Sequence, residues 1–299
     1  MISDRPAPLP DRRSGAGRGG SSLRRLRLGL RTLLGGKPGG FFIPYRHAAA
    51  VAPTDYPALA PLFAAALPEM REVLALADRM GDRLAALAGP PPVPRWDQSW
   101  FPRLDGIALY TMVRAGRPAR ILEIGSGHST RFMAQAIRDG GFDCAMICID
   151  PQPRADVGQL PLELHRRLLR PEDLALAREL AAGDLLFIDS SHVAMPGSDV
   201  DLLLNGFLPA LRPGVLVHLH DIFLPDAYPP AWAWRGYNEQ LAVGCLLQGG
   251  GYAVRFASHY LATRWPALIE DSVAARIPLP AEALEGSLWL QKLGEAAAG

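Results

Sequence analysis

The chain has few cysteines, and they are not arranged as a framework. Three occur in 299 residues, Cys144, Cys148 and Cys245, and none belongs to a C-x-x-C pair. An odd, unpaired set argues against a disulfide-stapled fold and against a structural zinc site. Cys144 and Cys148 lie in one apolar run at an even spacing, so we predict that both belong to the core. A reducing cytoplasm is the expected setting.

The sequence also lacks a long apolar run, an apolar signal core at its N-terminus and a strong net charge. No run reaches the roughly 18 apolar residues that a membrane-spanning helix needs. The formal net charge is only +1, which gives no global case for nucleic-acid binding. Hydrophobic residues make up 49% of the chain and charged residues 20%, as in globular proteins. We therefore expect no secretion, no stable membrane insertion and no nucleic-acid partner.

The basic residues are concentrated in the first part of the chain. Residues 1–40 hold nine of the 31 Lys and Arg but only Asp4 and Asp11 among the acids, so this segment carries +7 and the remainder −6. Its Pro, Gly, Ser and Arg content predicts a basic, disordered tail. Within it, residues 22–36 have leucines at helical spacing with arginines between them. This pattern is typical either of a short solvated helix or of a helix lying on an anionic membrane surface.

Two further segments follow the basic tail. The region 41–95 begins with an aromatic loop, FFIPYR, which is a candidate lid, and continues with a helical pattern over residues 56–87. A Pro-rich break over residues 89–100 is the best candidate boundary with the main domain, which we place at 96–299.

In the main domain, short apolar runs alternate with helical patterns. The runs are rich in Val, Ile and Leu, as expected of strands that helices cover on both faces. We therefore predict the α/β class, with a doubly wound, mainly parallel sheet and a helical N-terminal extension. The predicted strands span residues 119–125, 144–150, 162–169, 184–192, 214–221, 252–258 and 287–293.

The turn after the first strand, E-I-G-S-G-H-S-T, is suited to a nucleoside cofactor. Ligands of such sheets lie beyond the carboxyl ends of the strands. Gly125 and Gly127 allow a tight turn and a close approach of the backbone to a ligand. Unpaired N–H groups of the next helix follow. Asp150 stands 23 residues after Gly127, at the end of the second strand, where an acid accepts hydrogen bonds from a ribose diol.

Several classes of protein use such a turn, and the residues discriminate among them. The dinucleotide fingerprint needs a third glycine where Thr130 stands, and an NAD-linked oxidoreductase would need a Tyr-x-x-x-Lys pair, which the chain lacks. The hydrolase elbow G-x-S-x-G is absent, because the order here is G-x-G-x-S. Glu123, two residues before the first glycine, fits a ligand with an ammonium group, as in S-adenosylmethionine. A non-catalytic cofactor-binding module stays open.

Four motifs together resemble a known family. E-I-G-S-G-H-S-T, I-D-P, L-F-I-D-S-S-H and H-L-H-D are similar to the motifs of class I S-adenosylmethionine-dependent methyltransferases, most of all bacterial members with F-I-D-x-x-H and H-D strand ends. The resemblance covers residues 96–260 and implies a Rossmann-like methyltransferase fold. It implies that Asp150 holds the ribose and that Asp189 faces the transferred methyl. By resemblance, the methionine end of the cofactor is lined by Glu123, Gly125, Ser126, Gly127 and Ser129.

The acids at the fourth and fifth strand ends point to the reaction. Asp189 and Asp221 end neighbouring strands, so their carboxylates can converge as a Mg²⁺ site, and catechol-type O-methyltransferases place metal-binding acids at the matching strand ends. His192 or His220 could act as general base, or a His/Asp group could hold Mn²⁺ or Fe²⁺ instead. These residues favour O-methylation of a small-molecule or sugar-like hydroxyl, and they leave N-methylation open.

The loop after the fifth strand, residues 222–240, follows the site directly and is rich in aromatic residues. Such loops often carry specificity on a rigid scaffold, although the aromatic residues could also pack only among themselves. We take the substrate to be a small molecule and leave the oligomeric state open. The candidate substrate residues are Trp234, Arg235, Tyr237 and Asn238, together with Trp232 and Glu239.

Overall fold

A computed structural model describes residues 19–34, 39–41 and 43–294. The described residues contain a seven-stranded sheet with the order β3-β2-β1-β4-β5-β7-β6. Each strand lies inside a predicted run and is shorter than it, because the residues at the run ends turn toward loops. The strands are β1 (Arg120–Ile124), β2 (Ala145–Ile149), β3 (Glu163–His165), β4 (Leu185–Ile188), β5 (Leu216–Leu219), β6 (Tyr252–Ala257) and β7 (Leu288–Lys292).

Helices precede and separate the strands, as the alternating pattern predicts. A π-helical segment, Leu203–Phe207, joins α8 to α9. The α-helices are α1 (Gly19–Leu33), α2 (Ala60–Ala65), α3 (Leu67–Arg79), α4 (Gly81–Ala85), α5 (Arg103–Gly116), α6 (His128–Gly140), α7 (Leu174–Arg178), α8 (Asp199–Leu202), α9 (Leu208–Ala210), α10 (Glu239–Gln248), α11 (Ser258–Arg264) and α12 (Pro266–Glu270).

The strand directions fix where a ligand can bind. Strands β3, β2, β1, β4 and β5 pair in parallel, and β7 pairs antiparallel with both β5 and β6. The chain moves outward from β1 to β3 and then returns to β4 on the other side of β1. This reversal opens a crevice between the carboxyl ends of β1 and β4, which is the usual ligand position in doubly wound sheets. The predicted Rossmann-like α/β fold is confirmed.

One hydrophobic core runs through the sheet and the preceding helices. The central strand β4 is buried along its whole length, as expected for a strand covered on both faces. Phe63 and Met70 of the N-terminal region share this core with Phe187 of β4 and Trp289 of β7. The Pro-rich segment around residue 95 therefore separates two stretches of sequence but does not separate two cores.

The basic tail contains one helix in its described part. Gly19–Leu33 forms helix α1, as the leucine and arginine spacing over residues 22–36 indicates, and the disorder expected for the tail as a whole stays a prediction. Residues 1–18 and 35–38 lie outside the described residues. In the described ranges, no helix combines the length and the apolar character needed to cross a membrane. Of the predicted core cysteines, Cys148 is buried and Cys144 is half-buried.

Candidate active site

Gly125 ends β1 at a point where the chain has no room for a side chain. Its φ is +82°, and a Cβ at this position would lie 1.9 Å from the backbone oxygen of Asp189, the residue that follows β4. The loop and the end of β4 are further joined by the N–H of Asp189, which donates to Ile124 O at 2.9 Å. The tight turn predicted at Gly125 therefore brings the loop after β1 directly against the end of β4.

The buried carboxylate of Glu123 stabilises this loop through hydrogen bonds. Both oxygens of Glu123 accept hydrogen bonds, Oε1 from the Ser129 hydroxyl at 2.7 Å and Oε2 from the Thr130 hydroxyl at 2.8 Å. The Cys148 thiol of β2 also donates to Oε2, at 3.0 Å. Thr130 Oγ1 in turn accepts the N–H of Gly127 at 2.8 Å. Thr130, which breaks the dinucleotide fingerprint, thus links Glu123 to the loop backbone.

Three of the predicted cofactor residues lie around this loop and outside the cavity lining, so their cofactor contacts stay a prediction. Glu123 is 0% exposed, and its carboxylate accepts hydrogen bonds from Ser129, Thr130 and Cys148. Ser129 uses its hydroxyl to hold Glu123, and Gly127 uses its N–H to hold Thr130. The spacing of the motif was recognised correctly, but spacing alone does not show which side of the loop each side chain faces. Glu123, Gly127 and Ser129 support the loop and do not line the cavity.

A cavity of about 560 Å³ opens at the crevice between β1 and β4. That size is within the usual range for cofactor sites. It is lined by Gly125 and Ser126 after β1, Asp150 after β2 and Asp189 after β4, and Phe41 of the FFIPYR loop lies at its edge. Asp150 accepts the N–H of Ser126 at 2.6 Å through Oδ2 and the N–H of Gln152 at 2.6 Å through Oδ1. The structure thus brings Gly125, Ser126, Asp150 and Asp189 to one cavity.

Beside Asp189, two histidines and two aspartates form a buried ring, which we call the acid–histidine ring. Asp189 Oδ1 lies 3.3 Å from His192 Nε2 and 3.6 Å from His220 Nδ1. Asp221 Oδ2 lies 3.5 Å from His192 Nε2, and its Oδ1 lies 3.5 Å from His220 Nδ1. These distances exceed the 2.7–3.2 Å of ordinary hydrogen bonds. Among the described residues, Asp189 Oδ1 and His192 Nε2 are buried without a hydrogen-bond partner.

A second carboxylate orients each histidine of the ring. His192 Nδ1 lies 3.0 Å from Glu239 Oε2 of α10, and His220 Nε2 lies 3.2 Å from Asp105 Oδ2 of α5. Asp105 is itself held by the N–H groups of Gly286 and Ser287. Each imidazole therefore presents its remaining nitrogen to Asp189 and Asp221. A carboxylate behind the distal nitrogen is also the usual arrangement of a metal-ligating histidine.

Electrostatics in the ring favour charged forms. Burial alone would lower the pKa of His192, but Asp189, Glu239 and Asp221 outweigh it and raise that pKa well above the ordinary value. Burial is likewise outweighed at His220, where Asp189, Asp221 and Asp105 raise the pKa. Burial would raise the pKa of Asp189, yet His220 and His192 hold it well below its usual range. In this arrangement the surrounding carboxylates stabilise the protonated form of both imidazoles.

Unusual backbone conformations place two members of the ring. His192 and Asp221 have φ values of 59° and 57°, in the left-handed region that residues with a Cβ rarely adopt. Both lie a few residues beyond the end of a strand, so the turns direct their side chains back toward each other. Strained residues of this kind are concentrated at functional sites. His192 is fully buried behind the two aspartates, so the predicted role of general base in contact with substrate does not fit its position.

The aromatic loop after β5 lies against the ring but outside the cavity. The ring of Tyr237 is 4.6 Å from that of His192, and the Arg235 guanidinium packs over Trp232, Trp234 and Tyr237. The Asn238 amide oxygen accepts the N–H of Ala194, which fixes the segment after β4. Trp234, Arg235, Tyr237 and Asn238 do not line the cavity in this conformation. The predicted substrate contacts of this loop stay a prediction.

The sequence reasoning missed Asp105. It lies in an apolar stretch of α5 and is 0% exposed. A fully buried acid is costly unless it is paired, so an Asp among Leu, Ile and Ala in a core-facing helix was the available signal. His218, by contrast, is a structural residue: it stacks on Phe187 with ring centroids 3.9 Å apart, and its Nε2 lies 2.8 Å from Ser287 Oγ.

One comparison with known protein families matches part of this chain. Residues 122–222 match a family model described as a methyltransferase domain (Methyltransf_24). The matched residues run from β1 to just beyond β5 and contain the loop, most of the cavity lining and the acid–histidine ring. This part of the chain is therefore similar to a methyltransferase domain. No curated protein matches it in sequence.

Solved structures resemble the chain only distantly. SAH-bound methyltransferase PaMTH1 of Podospora anserina has 17% identity and a TM-score of 0.39, with 85% of this chain and 100% of that chain covered. The plantazolicin methyltransferase BamL, bound to SAH and a desmethyl analogue, has 11% identity and a TM-score of 0.42, with 77% and 100% covered. The [4+2]-cyclase SpnF has 17% identity and a TM-score of 0.31, with 75% and 97% covered. At these values the likenesses carry no argument about activity.

Glu123→Gln should flatten the pH dependence of stability. Burial raises the pKa of Glu123 to about 7, although Cys148, Ser129 and Thr130 lower it. Because this folded-state pKa lies above that of the unfolded chain, the group stabilises the fold at low pH. That stabilisation is lost as pH rises from about 4.5 through 7, by about 3 kcal/mol at 1.36 kcal/mol per pKa unit.

Urea unfolding at several pH values gives the free energy of unfolding of the wild type and of Glu123→Gln. The difference between the two proteins, followed against pH, measures the contribution of Glu123. Glu282→Gln, at an exposed position, is the matched control. If the free energy of unfolding of Glu123→Gln depended on pH as that of the wild type does, the raised pKa of Glu123 would be contradicted.

Gly125→Ala should damage both stability and cofactor binding. An alanine at positive φ costs about 1 kcal/mol, and the clash with the Asp189 carbonyl adds to it. We expect at least a tenfold loss of affinity for S-adenosylhomocysteine in calorimetry, together with a lower unfolding midpoint. Gly116→Ala is the matched control. Gly116 ends helix α5, and a Cβ added there would meet no atom within 4 Å. Wild-type affinity in Gly125→Ala would show that this turn does not shape the cofactor site.

Proposed function

We propose that the protein transfers the methyl group of S-adenosylmethionine to a hydroxyl oxygen of a small-molecule or sugar-like substrate, with a divalent cation held at the acid–histidine ring. The observation that carries this proposal is the convergence of Asp189, His220 and Asp221. One ligand atom from each lies within 4.8 Å of the others, and Asp189 also lines the cofactor cavity. A hydroxyl bound at Asp189 would therefore lie beside both the methyl donor and the cation.

Charge supports a cation at this position. The ring and its two orienting acids contain four carboxylates, Asp105, Asp189, Asp221 and Glu239, against two imidazoles. The carboxylates would outnumber the imidazoles by two even if both imidazoles carried a proton. Excess negative charge buried in this way is costly unless a cation balances it. A divalent ion would supply the balance without any rearrangement of the surrounding helices.

The spacing of the ring atoms fits the same interpretation. A metal ion with bonds of about 2.1 Å holds neighbouring ligand atoms about 3.0–3.4 Å apart in octahedral or tetrahedral geometry. The four distances in the ring are 3.3–3.6 Å, close to that range and too long for good hydrogen bonds. Imidazole with carboxylate suits Mn²⁺ or Fe²⁺ at least as well as Mg²⁺. His192 Nε2, buried and without a hydrogen-bond partner, is a further candidate ligand beside the three named above.

Each residue has a role in this proposal. Asp189 orients the substrate hydroxyl toward the methyl group, because it is the ring member that reaches the cavity. Asp105 and Glu239 hold the two imidazoles in a single orientation. The cation, when bound, would lower the pKa of the hydroxyl and favour the oxyanion. The oxygen attacks the methyl carbon in line with the leaving sulfur, so positioning by Ser126, Asp150 and Asp189 contributes much of the rate.

Binding of Mn²⁺ tests the cation site directly. After chelator treatment, the protein should bind Mn²⁺ in calorimetry, and Asp221→Asn should weaken this binding at least tenfold because one ligand is replaced by a neutral amide. Binding of S-adenosylhomocysteine should stay within about twofold of wild type, since Asp221 lies outside the cofactor cavity. Asp143→Asn is the matched control, because Asp143 is exposed and lies before the start of β2. Failure to bind Mn²⁺, or equal binding by Asp221→Asn, would refute the cation site while leaving the methyltransferase assignment intact.

Transfer to oxygen is tested with a panel of acceptors. Phenols, catechols and sugars would be incubated with S-adenosylmethionine beside amines of the same shape, and the methylated atom identified by NMR. We expect methyl ethers from the hydroxyl compounds. Asp189→Asn should lower the rate about a hundredfold or more, the scale of a reacting group that loses its positioning. Methylation of the amines alone, or full activity in Asp189→Asn, would overturn the proposal.

A further inference from the structure

Helix α1 presents an exposed leucine stripe. With about 100° between successive residues, the five leucines of the stripe fall within an arc of about 100°. This is a wide apolar face for a helix that a core does not cover, since burying large apolar side chains is the main driving force of folding. The stripe is formed by Leu23 (72% exposed), Leu26 (59%), Leu30 (46%), Leu33 (59%) and Leu34 (79%).

The opposite face of α1 holds the helix to the rest of the N-terminal segment. Thr32 Oγ1 accepts the N–H of Gly39 at 3.0 Å and donates to Leu28 O at 2.9 Å. Gly39 lies so close to Leu28 that an added Cβ would be 3.1 Å from its side chain. Leu28 and Thr32 lie on the face away from the stripe. The contact with residues 39–40 therefore orients the leucine stripe toward solvent.

The adjoining loop extends this apolar surface to the mouth of the cofactor cavity. Its large apolar side chains are also mostly exposed, and Phe41 lines the cavity edge. Nine of the seventeen exposed large hydrophobic residues in the described chain lie between positions 23 and 51. Such a concentration marks a binding surface, since exposed apolar residues are otherwise scattered. The loop members are Phe41, Ile43, Tyr45 and Val51.

The positive charge of α1 and its neighbouring residues indicates which kind of partner binds the leucine stripe. Helix α1 carries Arg24, Arg25, Arg27 and Arg31 and no acid, and the sequence has no Asp or Glu between Asp11 and Asp55. A second copy of this helix would bring like charges together. A nucleic acid would satisfy the arginines but would leave the leucines in water. An anionic lipid surface satisfies both, with acyl chains for the leucines and headgroups for the arginines.

We infer that α1, Phe41 and the loop at residues 43–51 form a peripheral docking surface for an anionic lipid membrane. The helix would lie in the plane of the interface, with the leucine stripe toward the acyl chains and Arg27 and Arg31 beside it at the headgroups. Because Phe41 belongs both to this surface and to the cavity edge, the docked protein would turn the mouth of the cofactor cavity toward the lipid. The inference stands independently of the acceptor atom and of the cation site.

Vesicle flotation of the full-length protein tests this inference. The protein should float with vesicles of phosphatidylcholine mixed with phosphatidylserine, and much less with phosphatidylcholine alone. Binding should weaken as salt is raised, because screening weakens charge attraction. Leu26→Glu/Leu30→Glu should abolish flotation. Arg27→Gln/Arg31→Gln should lower the partition coefficient about 25-fold, from about fivefold for each basic residue at an anionic surface.

The controls separate docking from folding and from self-association. Leu241→Glu changes a 53% exposed leucine on α10 and should float as wild type does. Every variant should keep its unfolding midpoint and its affinity for S-adenosylhomocysteine. Equal flotation with neutral and anionic vesicles, or wild-type flotation by Leu26→Glu/Leu30→Glu, would overturn the inference. So would a wild-type dimer in light scattering that becomes a monomer in the same variant, since the stripe would then be an interface between copies.

Discussion

The close contact between Gly125 and the backbone of Asp189 is the constraint on which the site depends. With no Cβ at residue 125, the end of β1 lies directly against the carbonyl that follows β4, so the cofactor loop and the reactive strand end form one wall. Asp189 therefore belongs to both the cavity and the acid–histidine ring. It lines the cavity, and its carboxylate lies beside the two histidines of the ring. Under the proposed function, binding of the methyl donor and chemistry on the acceptor would be joined at this residue.

Two buried polar systems stabilise this junction from either side. On one side, the Glu123 carboxylate accepts hydrogen bonds from the hydroxyls of Ser129 and Thr130 and from the thiol of Cys148. Beyond Asp189, the orienting acids Asp105 and Glu239 are supplied by α5 and α10, on elements far apart in sequence. Buried polar groups of this kind are tolerated only when they are paired, so both systems rigidify the loops that they hold. The raised pKa values of His192 and His220 have the same origin, because carboxylates from four different segments surround them.

The order of strands and helices was readable from the sequence. Each observed strand lies within a predicted run, because continuous Val, Ile and Leu segments between helical patterns are typical of strands that helices cover. The cavity wall at Gly125, Ser126, Asp150 and Asp189 followed as well, since parallel strands end at one edge of the sheet. The leucine spacing over residues 22–36 likewise indicated the helix found at Gly19–Leu33.

What the sequence by itself determined was therefore the α/β class, the position of the cofactor loop and the acids at the strand ends. Only the tertiary structure decided which way those side chains face. Glu123 and Ser129 are hydrogen-bonded to each other beneath the loop, a direction that spacing could not show, since the direction of a side chain in a turn depends on backbone angles that spacing does not encode. Asp105, 84 residues before Asp189, meets the ring because the first turn of α5 lies beside His220, which follows β5, and Ser287, which precedes β7. Contacts between distant segments depend on how whole elements pack, and no local pattern contains that information.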